Sequence, residues 1–151
     1  MRAFNSIIVW LMALTIGFTM ASCDPMSSVE YKIYNVTSDT VTVTFHKEIM
    51  TSPYQGYELE ENDSVTTHYT SDTSTVAIVA PSRHLTIRRE WHGLYREELI
   101  VPAWKYIVSI KVGKNEIPPE SWNNESAWRL KTKGGGFGED ESRYYDLLLK
   151  Q

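Results

Sequence analysis

Apolar and polar residues alternate along most of this chain with a period of two, which is the pattern of β-strands with one buried face. The clearest early example is residues 40–46, in which Val41, Val43 and Phe45 alternate with threonine and histidine. Further short segments with strand character recur about every 8 to 12 residues. They occupy residues 29–34, 57–59, 65–69, 75–80, 85–87, 95–101, 104–112, 128–132 and 145–149.

Turn-forming residues separate these segments, and no window has the periodicity of an amphipathic helix. This spacing predicts an all-β domain, an antiparallel β-sandwich that is immunoglobulin-like or related to that fold. Residues 104–112 are predicted to form one strand, with Trp104 and Val108 on the same buried face. Trp128 is predicted to join Trp104 in the core, and residues 91–93 are predicted to be a hairpin connection.

The start of the chain departs from this alternation. Arg2 precedes an uncharged apolar run over residues 7–20, and the small residues Ala21 and Ser22 follow it. A positive start, an apolar middle and small residues before a cut are the layout of a secretory signal peptide. We therefore predict that residues 1–22 are a signal peptide that is cleaved.

Cys23 follows the predicted cut directly and is the only cysteine in the sequence. Residues 20–23 (Met-Ala-Ser-Cys) resemble the lipobox of bacterial lipoproteins, although leucine is usual at the position of Met20. The resemblance implies that the Cys23 thiol receives a diacylglyceryl group and that Cys23 becomes the new N-terminus. The chain is then divided into a signal peptide (1–22), a lipidated cysteine with a short tether (23–28) and a β-sandwich domain (29–151).

Two other interpretations of this segment remain open. As a transmembrane helix, the uncharged stretch over residues 7–22 is about 16 residues long, short of the roughly 20 that span a bilayer. As an ordinary signal peptide, it would leave Cys23 as an unpaired thiol in an oxidising compartment, where cysteines normally form disulfides. Acylation accounts for Cys23, and two acyl chains hold a protein on a membrane stably.

The charge balance narrows the choice of partners. Loss of Arg2 with the signal peptide lowers the count of Lys and Arg from 15 to 14, against 19 Asp and Glu, so the remaining chain has a net charge of −5. No cluster of Lys or Arg interrupts this balance, since Arg88 and Arg89 are followed by Glu90. A nucleic-acid partner is therefore not expected, because binding to phosphate backbones needs a basic face. The protein is instead expected to associate with the membrane through the acyl group predicted on Cys23.

The order of features along the chain is similar to that of small lipoproteins of Bacteroidota-type bacteria. The features are Cys23, residues 31–36 (Tyr-Lys-Ile-Tyr-Asn-Val), residues 63–65 (Asp-Ser-Val), Trp128, and Tyr-Tyr-Asp at 144–146 after a glycine-rich loop. The resemblance implies a lipid-anchored cell-envelope location, with the outer membrane expected (periplasmic face or cell surface), and it brings no catalytic residues. The same lineage O-glycosylates Asp-Ser/Thr-apolar triplets, which implies Thr40 and Ser64 as modification sites.

Residues that could carry catalytic or metal chemistry are scattered. A zinc site needs three or four converging ligands, and the histidines fall on separate segments. Glu97 and Glu98 point to opposite faces of a predicted strand, so they cannot act as the paired carboxylates of a glycosidase. The sequence has no Gly-x-Ser-x-Gly elbow. We therefore predict a protein that is not an enzyme and has no metal site or cofactor. The histidines are His46, His68, His84 and His92.

Aromatic residues in predicted loops carry the remaining functional signal. Trp91 and Trp122 lie beside turn-forming residues and are predicted to be partly exposed, where an indole can contact a ligand. The leading hypothesis is a lipid-anchored envelope protein that acts as an interaction, accessory or assembly module with an unknown envelope protein as partner. The alternative is a β-sandwich module that binds a glycan or another small ligand through Trp91 and Trp122.

Overall fold

A computed structural model describes residues 26–51, 56–60, 65–70, 74–93, 100–134 and 140–150, and these residues form two packed β-sheets. The strands and the α-helix in these residues are β1 (Met26–Asn35), β2 (Val41–His46), α1 (Glu48–Thr51), β3 (Glu58–Leu59), β4 (Val65–Thr70), β5 (Ser74–Val79), β6 (His84–His92), β7 (Ile107–Val112), β8 (Asn115–Glu116), β9 (Arg129–Gly134) and β10 (Glu141–Leu149). Short 3-10 helices cover Ala103–Tyr106, Pro119–Ser121 and Glu125–Ala127.

Each sheet has five strands in the described part of the chain. The strand order is β3-β6-β1-β10-β9 in the first sheet and β4-β5-β2-β7-β8 in the second. The predicted all-β sandwich is therefore confirmed. One pairing departs from an antiparallel arrangement, because β1 and β10 run parallel from Ser27 beside Glu141 to Asn35 beside Leu149.

The core lies between the two sheets, and the period of two in the sequence generates it. In β1 the inward residues Val29, Tyr31 and Ile33 are almost fully buried, while the residues between them are half-buried. Val41 and Val43 on β2 lie on the core side of the other sheet and are also fully buried. Burial of such side chains contributes about 1.5–3 kcal/mol each and is the main favourable term in the stability of this fold.

Two predicted connections belong to strands instead. β1 begins at Met26, so residues 26–28, predicted as part of a tether, lie in the first sheet. Ser27 is buried there and donates a hydrogen bond from Oγ to the carbonyl of Gly93 at 2.6 Å. The predicted hairpin connection at residues 91–93 is wrong for its first two residues, because β6 continues to His92, which pairs with Met26, and only Gly93 lies outside the strand.

The predicted strand over residues 104–112 is wrong in its first third, residues 104–106. Ala103–Tyr106 is a 3-10 helix, and β7 begins at Ile107. The pairing of β2 with β7 then shifts by one residue, because Phe45 lies opposite Ile107 and Thr44 lies opposite Ser109. This bulge places Val108 outward with 47 % of its surface exposed, although its alternation in the sequence indicates the core.

A turn between β5 and β6 holds a non-glycine residue in the left-handed region. Ser82 has φ of 60°, and the backbone N–H of Arg83 donates to the carbonyl of Ala80 at 3.3 Å. A residue with a β-carbon is strained by about 1–2 kcal/mol in this backbone region. Glycine avoids this strain but loses about 0.5–1 kcal/mol more conformational entropy on folding than alanine does.

Ser82→Gly should therefore raise the free energy of unfolding by up to about 1 kcal/mol, measured by urea denaturation. Ser82→Ala is the matched control, because alanine keeps the β-carbon and thus the strain. Equal stabilisation by alanine and glycine would show that the effect does not come from the backbone at Ser82.

Candidate functional site

The tryptophans divide between core and surface in a different way from the prediction. Trp104 and Trp128 are each 5 % exposed, which confirms their predicted place in the core. Trp122 is only 2 % exposed, so its predicted partial exposure is wrong. Its indole N–H donates to the carbonyl of Ile117 at 3.3 Å, and Trp128 donates to the carbonyl of Trp122 at 2.8 Å. The short helix at Pro119–Ser121 turns the chain so that Trp122 points inward.

Tyr31 is the centre of a buried aromatic cluster. Its ring stacks on Tyr145 with centroids 4.8 Å apart, and it meets Tyr57, Trp104 and Trp128 edge to face at 5.5–5.7 Å. Edge-to-face and offset-stacked geometries are the favourable ones for aromatic pairs. These rings therefore belong to the packing of the sandwich, and Trp122 lies in the same hydrophobic core.

Trp91 is half-buried and lies at the outer end of β6. The guanidinium carbon of Arg89 is 5.5 Å from the centroid of the Trp91 ring, which is the distance of a cation–π contact. Arg89 also lines a cavity of about 280 Å³. The remaining lining residues are Gly56, Glu58, Arg88 and Glu90.

This cavity is polar, and its charges compensate each other. Arg88 donates from its guanidinium to Glu90, and the lining includes two arginines and two glutamates. Trp91 is not among the lining residues and is linked to the cavity through its contact with Arg89. The volume of the cavity, about 280 Å³, lies just below the range of about 300–1,000 Å³ for pockets that hold drug-sized ligands.

Of the three predicted modification sites, only Thr40 lies among the residues that the structure describes. Thr40 is exposed in the turn that enters β2, so its hydroxyl is accessible. Cys23 and Ser64 lie outside the described residues, and their lipidation and glycosylation stay predictions. The segment containing Glu97 and Glu98 also lies outside the described residues.

The histidines do not converge in the described part of the chain. His46, His68 and His84 are exposed on β2, β4 and β6, and the ring of His84 lies against Tyr34 with centroids 5.2 Å apart. Among the described residues no group of three or more His, Cys, Asp or Glu side chains is placed to hold a metal ion. His92 lies in β6.

Ion pairs cross the outer face of the first sheet. The ammonium group of Lys32 is 2.7 Å from Glu30 Oε1, and this hydrogen bond raises the pKa of Lys32. Nζ of Lys131 on β9 is 2.6 Å from Oδ2 of Asp146 on β10. Near α1, burial raises the pKa of Tyr106, and the charge of Glu48 adds to the rise. Acidic and basic side chains therefore alternate on the outer face of the first sheet.

Strand β9 carries a charged surface that is not among the features predicted from the sequence. All six of its residues are exposed, and alternate positions carry Arg129, Lys131 and Lys133. The sequence contains the signal, because Arg-Leu-Lys-Thr-Lys with a period of two brings the three cations to one face of a strand. A search for runs of adjacent Lys and Arg overlooks such an arrangement.

None of the helices in the described residues has both the length and the apolar character that crossing a membrane requires. Comparisons with protein-family models, curated proteins and solved structures found no match to this chain.

Proposed function

We propose that this protein is a lipid-anchored component of the bacterial cell envelope that acts by binding another protein and not by catalysis. The observation that carries the proposal is the sequence of residues 20–23, in which the only cysteine follows an apolar leader and small residues. An acyl anchor on Cys23 gives this thiol a function and fixes the protein to a membrane, for which we propose the outer membrane.

The geometry of β1 supports such an anchor. Met26 starts β1, and the chain between Cys23 and Met26 spans at most about 11 Å. β1 is hydrogen-bonded to β6 on one side and to β10 on the other, so an anchor at Cys23 would hold the centre of the first sheet. The domain would then stand directly on the membrane surface, with its flanks accessible to neighbours in the envelope.

Cys23→Ala should abolish incorporation of a radiolabelled fatty acid, because the thiol is the acceptor of the lipid. The wild-type protein expressed in its native host should be labelled and should partition into the detergent phase of a Triton X-114 extraction. The alanine variant should accumulate as an unprocessed precursor or as a soluble form. The readouts are autoradiography and immunoblotting of both phases.

Ser22→Thr is a suitable control, since it changes a neighbour of the cleavage site and keeps the thiol. Equal labelling of Cys23→Ala and wild type would refute the lipobox interpretation. A wild-type protein that is processed but unlabelled would instead support the simple secretory signal peptide.

A glycan-binding function is the second candidate, and one observation favours it. Trp91 is half-buried beside Arg89, which lines the polar cavity of about 280 Å³. Trp122 no longer contributes to this candidate, because it lies in the core. The protein-binding function is preferred because β9, at the edge of the first sheet in the described part of the chain, has all six of its residues exposed.

A further inference from the structure

Within the part of the chain that the structure describes, β9 is an edge strand. It is the last strand of the first sheet, and among the described strands it pairs with β10 only. All six residues of β9 are exposed, whereas Tyr145 and Leu147 on β10 are buried. Leu130 lies opposite Tyr145 in this pairing and is 43 % exposed, so β9 projects beyond the part of the sheet that the core covers. An edge of this kind presents backbone N–H and C=O groups to an incoming strand.

The side chains of β9 add a regular pattern of charge to this edge. Arg129, Lys131 and Lys133 share one face, with successive cations about 6.8 Å apart along the strand. Asp146 is the acidic partner of Lys131. The edge therefore carries a net positive charge, although the whole chain has a formal net charge of −4.

This charge pattern selects between two strands that could occupy the edge. A second copy of β9 would place cation opposite cation, which is unfavourable for residues directly across a strand pair. An acidic strand with Asp or Glu at alternate positions would have its carboxylates at the same spacing as the cations. Its other face would bring side chains next to Leu130, where apolar residues would cover the exposed leucine.

We propose that β9 is the docking edge for an acidic, extended segment of a partner protein, which adds to the first sheet as a further strand. Backbone hydrogen bonds provide the affinity in this mode of recognition, and the alternate side chains provide the specificity. The inference rests on the protein-binding function proposed above and names the chemistry of the partner. The lipid anchor plays no part in it.

The experiment uses the full detergent-solubilised protein and a fluorescent peptide of about seven residues that alternates Glu and Val, the length of a typical strand. Fluorescence anisotropy should show binding that weakens as salt is added. The double variant Arg129→Glu/Lys133→Glu should bind the peptide about tenfold more weakly or not at all. The control Lys105→Glu/Lys114→Glu changes two exposed cations outside the first sheet and should bind as wild type does.

A second peptide separates strand addition from attraction between charges. It has the same sequence with N-methylated backbone amides, keeps all its carboxylates and cannot donate to a neighbouring strand. It should not bind, and amide hydrogen exchange should slow in residues 129–134 only with the unmethylated peptide. Equal binding of both peptides, equal loss in the control variant, or binding of polygalacturonate without binding of the acidic peptide would each overturn the proposal. The peptide-binding experiment does not measure lipid, so a negative result would not contradict the acylation of Cys23. Likewise, absence of fatty-acid labelling at Cys23 would not contradict the docking of an acidic strand on β9.

Discussion

Replacing Tyr31 by alanine should lower the free energy of unfolding by about 3–5 kcal/mol, the range for large aromatic truncations in cores. Tyr31 is 1 % exposed and contacts four other aromatic rings, one on β10 of the same sheet and three in the connections between strands. The truncation would leave a cavity between these rings, which are too large to close it. Urea denaturation followed by tryptophan fluorescence measures the loss, since Trp104 and Trp128 line the same space.

Tyr34→Ala is the matched control for this experiment. Tyr34 lies on the same strand with its side chain on the opposite face, where it is half-buried against His84. Its removal should cost clearly less stability than the removal of Tyr31. A loss of similar size from both variants would mean that β1 does not present alternate residues to core and surface.

Asn35→Ala should destabilise the protein by about 2–4 kcal/mol, because it removes a fully buried hydrogen-bonding group. The side-chain amide donates to the carbonyls of Asp39 at 2.8 Å and Val79 at 3.0 Å. Its oxygen accepts from the backbone N–H of Thr37 at 3.1 Å and from the Thr37 hydroxyl at 2.8 Å. Truncation removes these four hydrogen bonds from the interior of the fold. The resulting loss in the free energy of unfolding is measured from the denaturation midpoint in urea.

Two variants sharpen the test of Asn35. Asn35→Asp keeps the accepting oxygen and loses both donated hydrogen bonds at neutral pH, so it should also be strongly destabilising. Asn115→Ala changes an exposed asparagine in β8 and should have little effect. If Asn35→Asp were as stable as wild type, the bonds to Asp39 and Val79 would contribute nothing.

Strands formed from local alternation could be predicted from the sequence, whereas features that depend on the partner strand could not. Val41, Val43 and Phe45 alternate in sequence and are buried as predicted, because a single strand dictates which side chains share a face. The outward position of Val108 depends on a bulge against β2, and the parallel pairing of β1 with β10 depends on residues far apart in sequence.

The candidate sites show the same division between local and long-range information. Trp122 sits among prolines and asparagines that are typical of loops, but the loop folds back and buries the indole. The three cations of β9 are visible in the sequence, yet their significance depends on β9 being an edge strand with an exposed Leu130. The place of β9 at the edge is set by the order of strands in the sheet, and no local sequence pattern indicates it.

The parallel pairing of the first strand with the last also sets when this chain can fold. Ser28 and Ser142 hydrogen-bond across it although they are 114 residues apart, so the centre of the first sheet closes only after β10 has been made. Contacts of such long range slow folding, because the entropy of closing a long loop is lost before the contacts form. If the chain is exported as we propose above, this delay is useful, since a chain that crosses a membrane as an extended polymer must not reach its final structure early. Until β10 pairs with it, β1 keeps one unpaired edge beside its apolar side chains, and this interval is the one most exposed to aggregation.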